Sequence, residues 1–287
     1  MATISENLQT LTNIKSDIKN AIETKGVVVG DTSFGGYANL ISDISVGDSV
    51  VYLPKYIKLA YSGAYGYSEY WTFPANLKLS KTGNHDYLFA NVHNIENAPV
   101  LNLADSGNSL RYMFYDASFH LNSNIDMWNS IDYSKCDDIH AMFDLANLGD
   151  FNEFVCDSTN ITDIGYLFYS CSSDNGHHPT KIEFSNCENI TVILSAFSFY
   201  DRITNPLTSF RMPNIGKAFT SAKTLELERL KFANRNVIVT LLSDLYDMTS
   251  KGFTNTLTLY ADDYALLTPE DIAIATNKNW NVTSTTS

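Results

Sequence analysis

Three five-residue stretches decide the fold, because they share one pattern at regular separations. They are Leu110–Phe114 (LRYMF), Ile139–Phe143 (IHAMF) and Ile164–Phe168 (IGYLF). In each, an apolar residue stands four positions before a phenylalanine, which is the spacing that puts both side chains on one face of a short helix. Looser copies end at Phe197 and Phe219, and Tyr87-Leu88-Phe89 is an earlier, degenerate one. We therefore predict a repeated unit from about residue 86.

The repeat has a regular length and a strand of its own. Counted from Phe89, successive phenylalanines are 25, 29, 25, 29 and 22 residues apart. Between them lie apolar pairs with the two-residue period of a strand: Leu101/Leu103, Ile125/Met127, Ile182/Phe184, Phe210/Met212, Leu225/Leu227 and Leu257/Leu259. One short strand plus one short helix is the unit of a leucine-rich-repeat solenoid, in which each unit is stable only against its neighbours. We therefore predict an α+β chain with an irregular solenoid of this kind over residues 86–287.

Polar and cysteine side chains recur with the repeat. Cys136-Asp137-Asp138-Ile139 and Cys187-Glu188-Asn189-Ile190 are alike and lie 51 residues apart. Repetition accounts for such cysteines as small buried side chains. Asp138 and Asp163 directly precede the apolar residue of their repeats, so we predict that their oxygens accept free N–H groups of the helix that follows.

The N-terminal segment, residues 1–48, reads as helix, strand and helix. Its first helix carries one apolar stripe: Ile4, Leu8, Leu11, Ile14, Ile18 and Ile22. One stripe does not offset the conformational entropy of ordering an isolated helix, so this helix needs a partner. The rest of the chain, symmetry copies or another protein could supply it. We predict an attachment and oligomerisation domain with this stripe as its interface.

Tyrosines crowd the next segment, residues 49–85, which reads as two or three strands. If residues 65–71 form one strand, Tyr65, Tyr67 and Trp71 share a face and Tyr70 takes the other. Aromatic rings of this kind contact glycans or proteins at low entropic cost. These four residues are therefore a candidate contact site, and the alternative is that they are packed strand residues or a subunit interface.

The C-terminal end predicts a helical cap from about residue 260. Thr268 and Pro269 suit the cap and first position of a helix, and Asp271 stands three residues after the cap. We expect this helix to reach about Asn277, Trp280 to cover the end of the solenoid, and residues 281–287 to be loose.

Charge and motifs exclude several classes of function. The net charge of −13 disfavours binding to nucleic acid or to an anionic membrane. No apolar run approaches the roughly 20 residues of a membrane-spanning helix, and the start has no features of a secretory signal. We find no motif for a catalytic, cofactor or metal site. The acidic neighbours Asp137/Asp138, Glu226/Glu228 and Asp262/Asp263 are interpreted as solvated faces.

Two parts of the chain resemble known families. The run from Leu8 to Val27 (LQTLTNIKSDIKNAIETKGV), followed by Phe34, Tyr37-Ala38 and Ile41, resembles the opening of phage tail, fibre and appendage proteins, including those of crAss-like phages of gut bacteria. The Met-Phe and Leu-Phe signals resemble BspA-like leucine-rich repeats of bacterial surface proteins. The ending, from Leu257 through Thr268 and Asp271 to Trp280, is similar to the closing unit of such repeats.

The resemblance implies a non-enzymatic structural protein of a phage virion, in a head or tail fibre or appendage. Its N-terminus would assemble with other copies or with other virion proteins. Its repeats would contact a host surface glycan or protein, or a neighbouring virion protein. A bacterial surface adhesin with leucine-rich repeats is the alternative, and a glycan depolymerase is a third class. A depolymerase would need two carboxylates about 5–10 Å apart in a cleft.

Overall fold

The chain consists of two compact units, residues 1–50 and 51–287. Our computed structural model describes residues 4–23, 51–53, 71–72, 77–79, 84–93, 95–97, 102–103, 107–119, 131–149, 152–172 and 179–285. In the first unit, helix α1 spans Ile4–Glu23, as the apolar stripe predicts. The second unit combines short strands with helices. The fold is therefore α+β, as the sequence predicts.

The strands of the second unit are short. They are β1 (Val51–Leu53), β2 (Trp71–Thr72), β3 (Leu77–Leu79), β4 (Ile95–Asn97), β5 (Asn102–Leu103), β6 (Asn108–Ser109), β7 (Cys136–Asp138), β8 (Glu153–Cys156), β9 (Lys181–Phe184), β10 (Ser209–Arg211), β11 (Thr224–Glu226), β12 (Asn255–Leu259) and β13 (Trp280–Ser284). A 3-10 turn over Tyr133–Lys135 precedes β7. The predicted pair Ile125/Met127 lies outside the described residues.

Every pairing among these strands is parallel. The sheets have the orders β1-β3-β5, β2-β4, β6-β7, β8-β9-β10 and β11-β12-β13. In the third of the larger arrangements, Phe154 of β8 pairs with Ile182 of β9, which pairs with Phe210 of β10. All three side chains are buried, because residues two apart point to the same side of a strand. The two-residue period therefore predicted the buried positions of β9 and β10 correctly.

The phenylalanine signals are not helices, which corrects the sequence prediction. They form five turn segments: residues 86–91, 111–116, 140–145, 165–170 and 194–197. Within them, backbone N–H groups alternate between two kinds of acceptor. The N–H of Met113 donates to the carbonyl of Leu110 in its own segment, whereas that of Phe114 donates to Met142 in the next segment at 2.8 Å. A helix would satisfy all of these groups internally, so the observed segments use half of them to bind their neighbours.

Backbone conformation explains why these segments leave the helical path. Tyr112 and Asp116, two residues before and after Phe114, have φ values of 54° and 50°. The same flanking positions are left-handed around Phe89, Phe143 and Phe168. A left-handed residue at every fourth position is incompatible with a right-handed α-helix. It produces a row of overlapping turns that runs parallel to the segments on each side.

Aromatic stacking continues the pattern through the core. The ring centroids of Phe89 and Phe114 are 5.3 Å apart, and Phe143 follows at 5.5 Å and Phe168 at 5.6 Å. All four rings are buried. The next ring stacked on Phe168 belongs to Phe199, at 5.4 Å, while Phe197 is tilted away from it. The regularly spaced phenylalanines thus form one continuous file.

The C-terminal part contains a helix that the sequence analysis did not predict. Helix α2 spans Arg235–Asp244, and the Asn234 side chain caps it by accepting from the N–H of Asn236 at 3.0 Å. Its buried residues are Val237, Ile238, Leu241 and Leu242. Their spacing of one, three and one, after an asparagine cap, was the available signal. Lys278 donates to the carbonyls of Leu242, Ser243 and Leu245 at the other end.

The predicted closing helix is present. After the short helix α3 (Ala261–Tyr264), helix α4 spans Pro269–Thr276 with Asn277 as its C-cap. The hydroxyl of Thr268 accepts from the N–H of Asp271, and the carboxylate of Asp271 accepts from the N–H of Thr268. The Asp271 carboxylate also receives two hydrogen bonds from the Arg235 guanidinium, both 2.6 Å long. This end of the chain is anchored by side chains rather than by length.

The expectation of a loose C-terminus is wrong for residues 281–284. These residues belong to β13, which pairs with β12 over Asn255–Leu259. Trp280, the first residue of β13, is buried and donates its indole N–H to the carbonyl of Tyr246 at 2.9 Å. Val282 is buried as well, so alternate apolar residues hold this polar-looking strand in place.

Candidate binding surface on the turn segments

The turn segments carry most of the exposed large hydrophobic side chains. Among the described residues, Tyr87, Leu145, Tyr169 and Leu194 lie in these segments, and Tyr200 lies just beyond the last one. Contiguous exposed apolar area of this kind is typical of interaction sites. We call the outward side chains of these segments the turn surface; its members are Tyr87, Tyr112, Tyr115, His140, Asp144, Leu145, Tyr166, Tyr169 and Leu194.

A file of rings runs along the turn surface across four segments. Tyr87 and Tyr112 are stacked, with centroids 4.8 Å apart and planes 7° apart. His140 then contacts Tyr112 and Tyr166 edge-on, at 5.6 and 5.5 Å. Because the segments are in parallel register, each ring comes from a different unit. We call these four residues the aromatic row.

Two further tyrosines stand beside the aromatic row. Tyr115 packs edge-on against Tyr112 at 5.8 Å, and Tyr169 packs in the same way against Tyr166 at 5.2 Å. The segment between them carries Asp144 at the equivalent position. The backbone fixes this alignment, since Asp116 N–H donates to the carbonyl of Asp144 and Leu145 N–H donates to that of Tyr169, both at 2.9 Å.

A polar network supports the aromatic row. His140 Nδ1 is 3.0 Å from Asp163 Oδ1, and one nitrogen of the Arg111 guanidinium lies 2.9 Å from Asp138 and 3.8 Å from Asp163. The same carboxylates accept backbone N–H groups two residues later, from His140 and Gly165. The prediction that these aspartates accept following N–H groups is therefore confirmed, although a turn rather than a helix follows.

Gly165 makes room for this network. A Cβ atom at this position would lie 3.0 Å from His140 Nδ1 and 3.2 Å from Asp163 Oδ1. Burial raises the pKa of Asp138, while the N–H of His140 and the Arg111 guanidinium act in the opposite direction. The prediction of a solvated face at Asp137/Asp138 is thus wrong for Asp138. It is also wrong for Asp263, which is buried and accepts from Arg202 at 2.8 Å.

Asp144 is the least satisfied group of the turn surface. Its carboxylate is half-buried, and its Oδ1 atom is buried without a hydrogen-bond partner among the described residues. Burial raises the pKa of this carboxyl to about 6, and the nearby His140 partly offsets the effect. A carboxylate held in this state gains free energy when a proton, a hydrogen-bond donor or a cation reaches it.

Acidic groups dominate the charge around the turn surface. In residues 84–93, 107–119, 138–145 and 163–170, the carboxylates of Asp86, Asp116, Asp138, Asp144 and Asp163 stand against the single guanidinium of Arg111. The face therefore combines exposed rings with negative charge. Such a face suits a partner that carries apolar and cationic groups.

The predicted site residues are placed as follows. Tyr65, Tyr67 and Tyr70 lie outside the described residues, and Trp71 is described only as the backbone start of β2, which pairs with β4. Along α1, Ile14 is 44% exposed, Ile18 is half-buried and Ile22 is buried. The backbones of Ile4, Leu8 and Leu11 lie in α1, but their side chains fall outside the description.

Sequence analysis missed the turn surface itself. A signal was present, since a tyrosine stands two residues before Phe89, Phe114 and Phe168. His140 gave no signal, because its partner Asp163 is 23 residues away and meets it only through the register of the units.

The cysteines are buried, as predicted. Cys136, Cys156, Cys171 and Cys187 are free thiols with no solvent exposure, and burial raises the pKa of each. The described parts of the chain contain no cluster of three His, Cys, Asp or Glu side chains placed to hold a metal ion. None of the described helices combines the length and the apolar character needed to cross a membrane.

Comparisons with known proteins returned no significant match, whether made against protein-family models, curated proteins or solved structures.

Replacing Asp144 by asparagine is expected to stabilise the chain at pH 7.5 by about 1 kcal/mol, after allowance for solvent screening of a half-exposed group. The folded pKa of about 6 lies above the ordinary value of 3.8, so the folded state binds more protons between these values. Stability of the parent chain should therefore fall as pH rises from about 4 to 6, and Asp144→Asn should lack this component. Denaturant titrations at pH 4.5 and 7.5 measure it.

The exposed Asp201→Asn variant is the matched control for this experiment. Equal stabilities of the parent chain and Asp144→Asn at both pH values would show that the Asp144 carboxylate is not destabilised by burial.

Proposed function

We propose that the chain is a non-enzymatic structural protein of a phage virion, part of a head or tail fibre or appendage. Residues 86–287 form an irregular leucine-rich-repeat solenoid of the BspA-like type, closed by the C-terminal helices. Parallel register between successive units and the buried file of phenylalanines support this interpretation. The resemblance of the N-terminal segment to phage appendage proteins supports the virion location.

The solenoid contacts its partner through the turn surface. The partner is a host surface glycan or protein, or a neighbouring virion protein. One observation carries this proposal: the aromatic row exposes rings from four successive units on one side. Rings held by packing bind at low entropic cost, because few rotamers are lost.

The N-terminal helix attaches the chain to the particle or to further copies of itself. Ile22 is already buried within the single chain, so the seam is placed on the N-terminal part of the stripe, from Ile4 to Ile14. The exposed Ile14 supports this placement. A mass measurement of the full chain in solution tests self-association, and a monomer at micromolar concentration would leave only attachment to other virion proteins.

Substitution of the first stacked pair of the aromatic row tests the contact. A phage that carries Tyr87→Ala together with Tyr112→Ala should lose adsorption to its host or incorporation of this protein by at least tenfold. The reason is that the row loses two of its four rings, although the buried phenylalanines remain in place.

The control is Val155→Ala, which removes an exposed apolar side chain from strand β8 instead. Circular dichroism should show both variants folded. Normal particle assembly and host adsorption by the tyrosine variant would contradict the proposed contact face.

A further inference from the structure

One notch interrupts the turn surface at Asp144. Tyr115, Asp144 and Tyr169 occupy equivalent positions in three successive segments, and the backbone hydrogen bonds described above hold them in line. A short side chain thus stands between two long ones. Neighbouring parallel segments lie about 5 Å apart, so the backbones that carry the two tyrosines are separated by roughly 10 Å. We call this feature the Asp144 notch.

The dimensions of the Asp144 notch suit a cation between two rings. A group midway between Tyr115 and Tyr169 would lie about 5 Å from each, inside the range of about 6 Å over which a cation is attracted to a ring face. Tyr169 is 39% exposed, so it is accessible from solvent. The floor of the notch carries a carboxylate, which adds a direct charge interaction.

The charge around the notch calls for a cation from outside the chain. Arg111 already binds Asp138 and lies close to Asp163, and His140 binds Asp163. Asp144 has no ion pair with any described residue. Its surroundings are Tyr115 from the preceding segment, His140 from its own and the Cys171 thiol from the following one. Asp116, beside Tyr115, adds further negative charge.

Aliphatic side chains beside the notch favour a protein partner over a glycan. Leu145, which follows Asp144, is 44% exposed, and Leu194 is 54% exposed further along the same surface. Sugars stack on aromatic rings, whereas exposed leucines pack against apolar side chains of another protein. The ligand that combines an apolar stem with a compact cationic head is a lysine side chain.

Building on the proposed function, we infer that the Asp144 notch binds the ammonium group of a lysine side chain on the surface of a partner protein. The lysine stem passes between the rings of Tyr115 and Tyr169, and the ammonium donates to the Asp144 carboxylate. Leu145 and the aromatic row contact the partner around this lysine. No reaction is involved, and the interaction is reversible.

The test is a nuclear magnetic resonance titration of the full chain, carrying labelled tyrosine rings, with N-acetyl-lysine-N-methylamide at pH 7.5. Saturable shifts of the Tyr115 and Tyr169 ring signals are expected. N-acetyl-norleucine-N-methylamide has a similar stem without the charge and should bind at least tenfold more weakly. Maltotriose serves as the neutral glycan probe and should leave both signals unchanged.

Variants locate the binding. Asp144→Asn and Tyr169→Ala should each weaken lysine binding at least tenfold, while Tyr200→Ala, which removes an exposed ring outside the notch, should not change it. Lowering the pH from 7.5 to 5 should weaken binding to the parent chain, because Asp144 becomes protonated, and should have little effect on Asp144→Asn.

Three results would overturn the inference: equal binding of the norleucine probe, full lysine binding by Asp144→Asn, or shifts caused by maltotriose alone. If lysine fails but the Tyr87/Tyr112 variant still loses adsorption or incorporation, the proposed function stands and only the ligand class is wrong. If the lysine probe binds while that variant behaves normally, the notch stands and the aromatic row is not the main contact.

Discussion

Phe143→Ala is expected to lower the free energy of unfolding of the second unit by about 3–5 kcal/mol, the range for removal of a buried phenylalanine ring. Phe143 stacks between Phe114 and Phe168, at 5.5 and 5.6 Å, and meets Phe154 edge-on. The substitution therefore leaves a cavity in the middle of the file and removes contacts to units on both sides. Denaturant unfolding followed by circular dichroism measures the change.

The matched control is Tyr200→Ala, because Tyr200 is 68% exposed. Its effect should stay within about 0.5 kcal/mol, as for surface substitutions in general. A loss below about 1 kcal/mol for Phe143→Ala would contradict the packing of Phe143 between two neighbouring units.

Gly216→Ala is expected to destabilise the second unit by about 2–5 kcal/mol, for two reasons that act together. Gly216 has a φ of +101°, a conformation that side chains rarely adopt. A Cβ atom there would also lie 2.8 Å from Cζ2 of the buried Trp280 and 3.2 Å from the sulfur of Met248. Overpacking of this kind typically adds about 1–3 kcal/mol to the cost of the backbone. Thermal and denaturant unfolding provide the measurement.

Gly252→Ala separates the two contributions. Gly252 has a φ of +75°, but a Cβ atom there would meet nothing within 4 Å. Only the backbone cost should appear, about 1–2 kcal/mol. If the two glycine variants were equally destabilised, the close approach of Trp280 to Gly216 would have no energetic weight.

The periodic apolar residues were predictable, because burial depends on spacing more than on the type of secondary structure. Leu110 and Phe114, like Ile164 and Phe168, are buried as the four-residue spacing suggests. The same spacing fits the observed row of overlapping turns, so it could not reveal that the segments are not helices. Positive φ values at Tyr112, Ala141 and Tyr166 decide the matter, and these residue types give no sign of them in advance.

Contacts between units were beyond the reach of sequence reasoning. Asp144 gains its unusual environment from residues about 25 positions before and after it, through a register that spacings of 25 and 29 residues do not specify. Local signals fared better, since the Thr268 cap and Pro269 marked the beginning of α4 correctly. Sequence therefore identifies what is buried and where helices begin, whereas the candidate site arises from stacking.

Stacking of the phenylalanine-marked units is the claim on which the rest depends, and ring-to-ring nuclear Overhauser effects test it most directly. In a deuterated chain with protonated phenylalanine rings, we predict cross-peaks that link Phe89 to Phe114, Phe114 to Phe143 and Phe143 to Phe168, because their centroids lie 5.3, 5.5 and 5.6 Å apart. Absence of these three cross-peaks, with contacts only among phenylalanines close in sequence, would contradict the stacked arrangement.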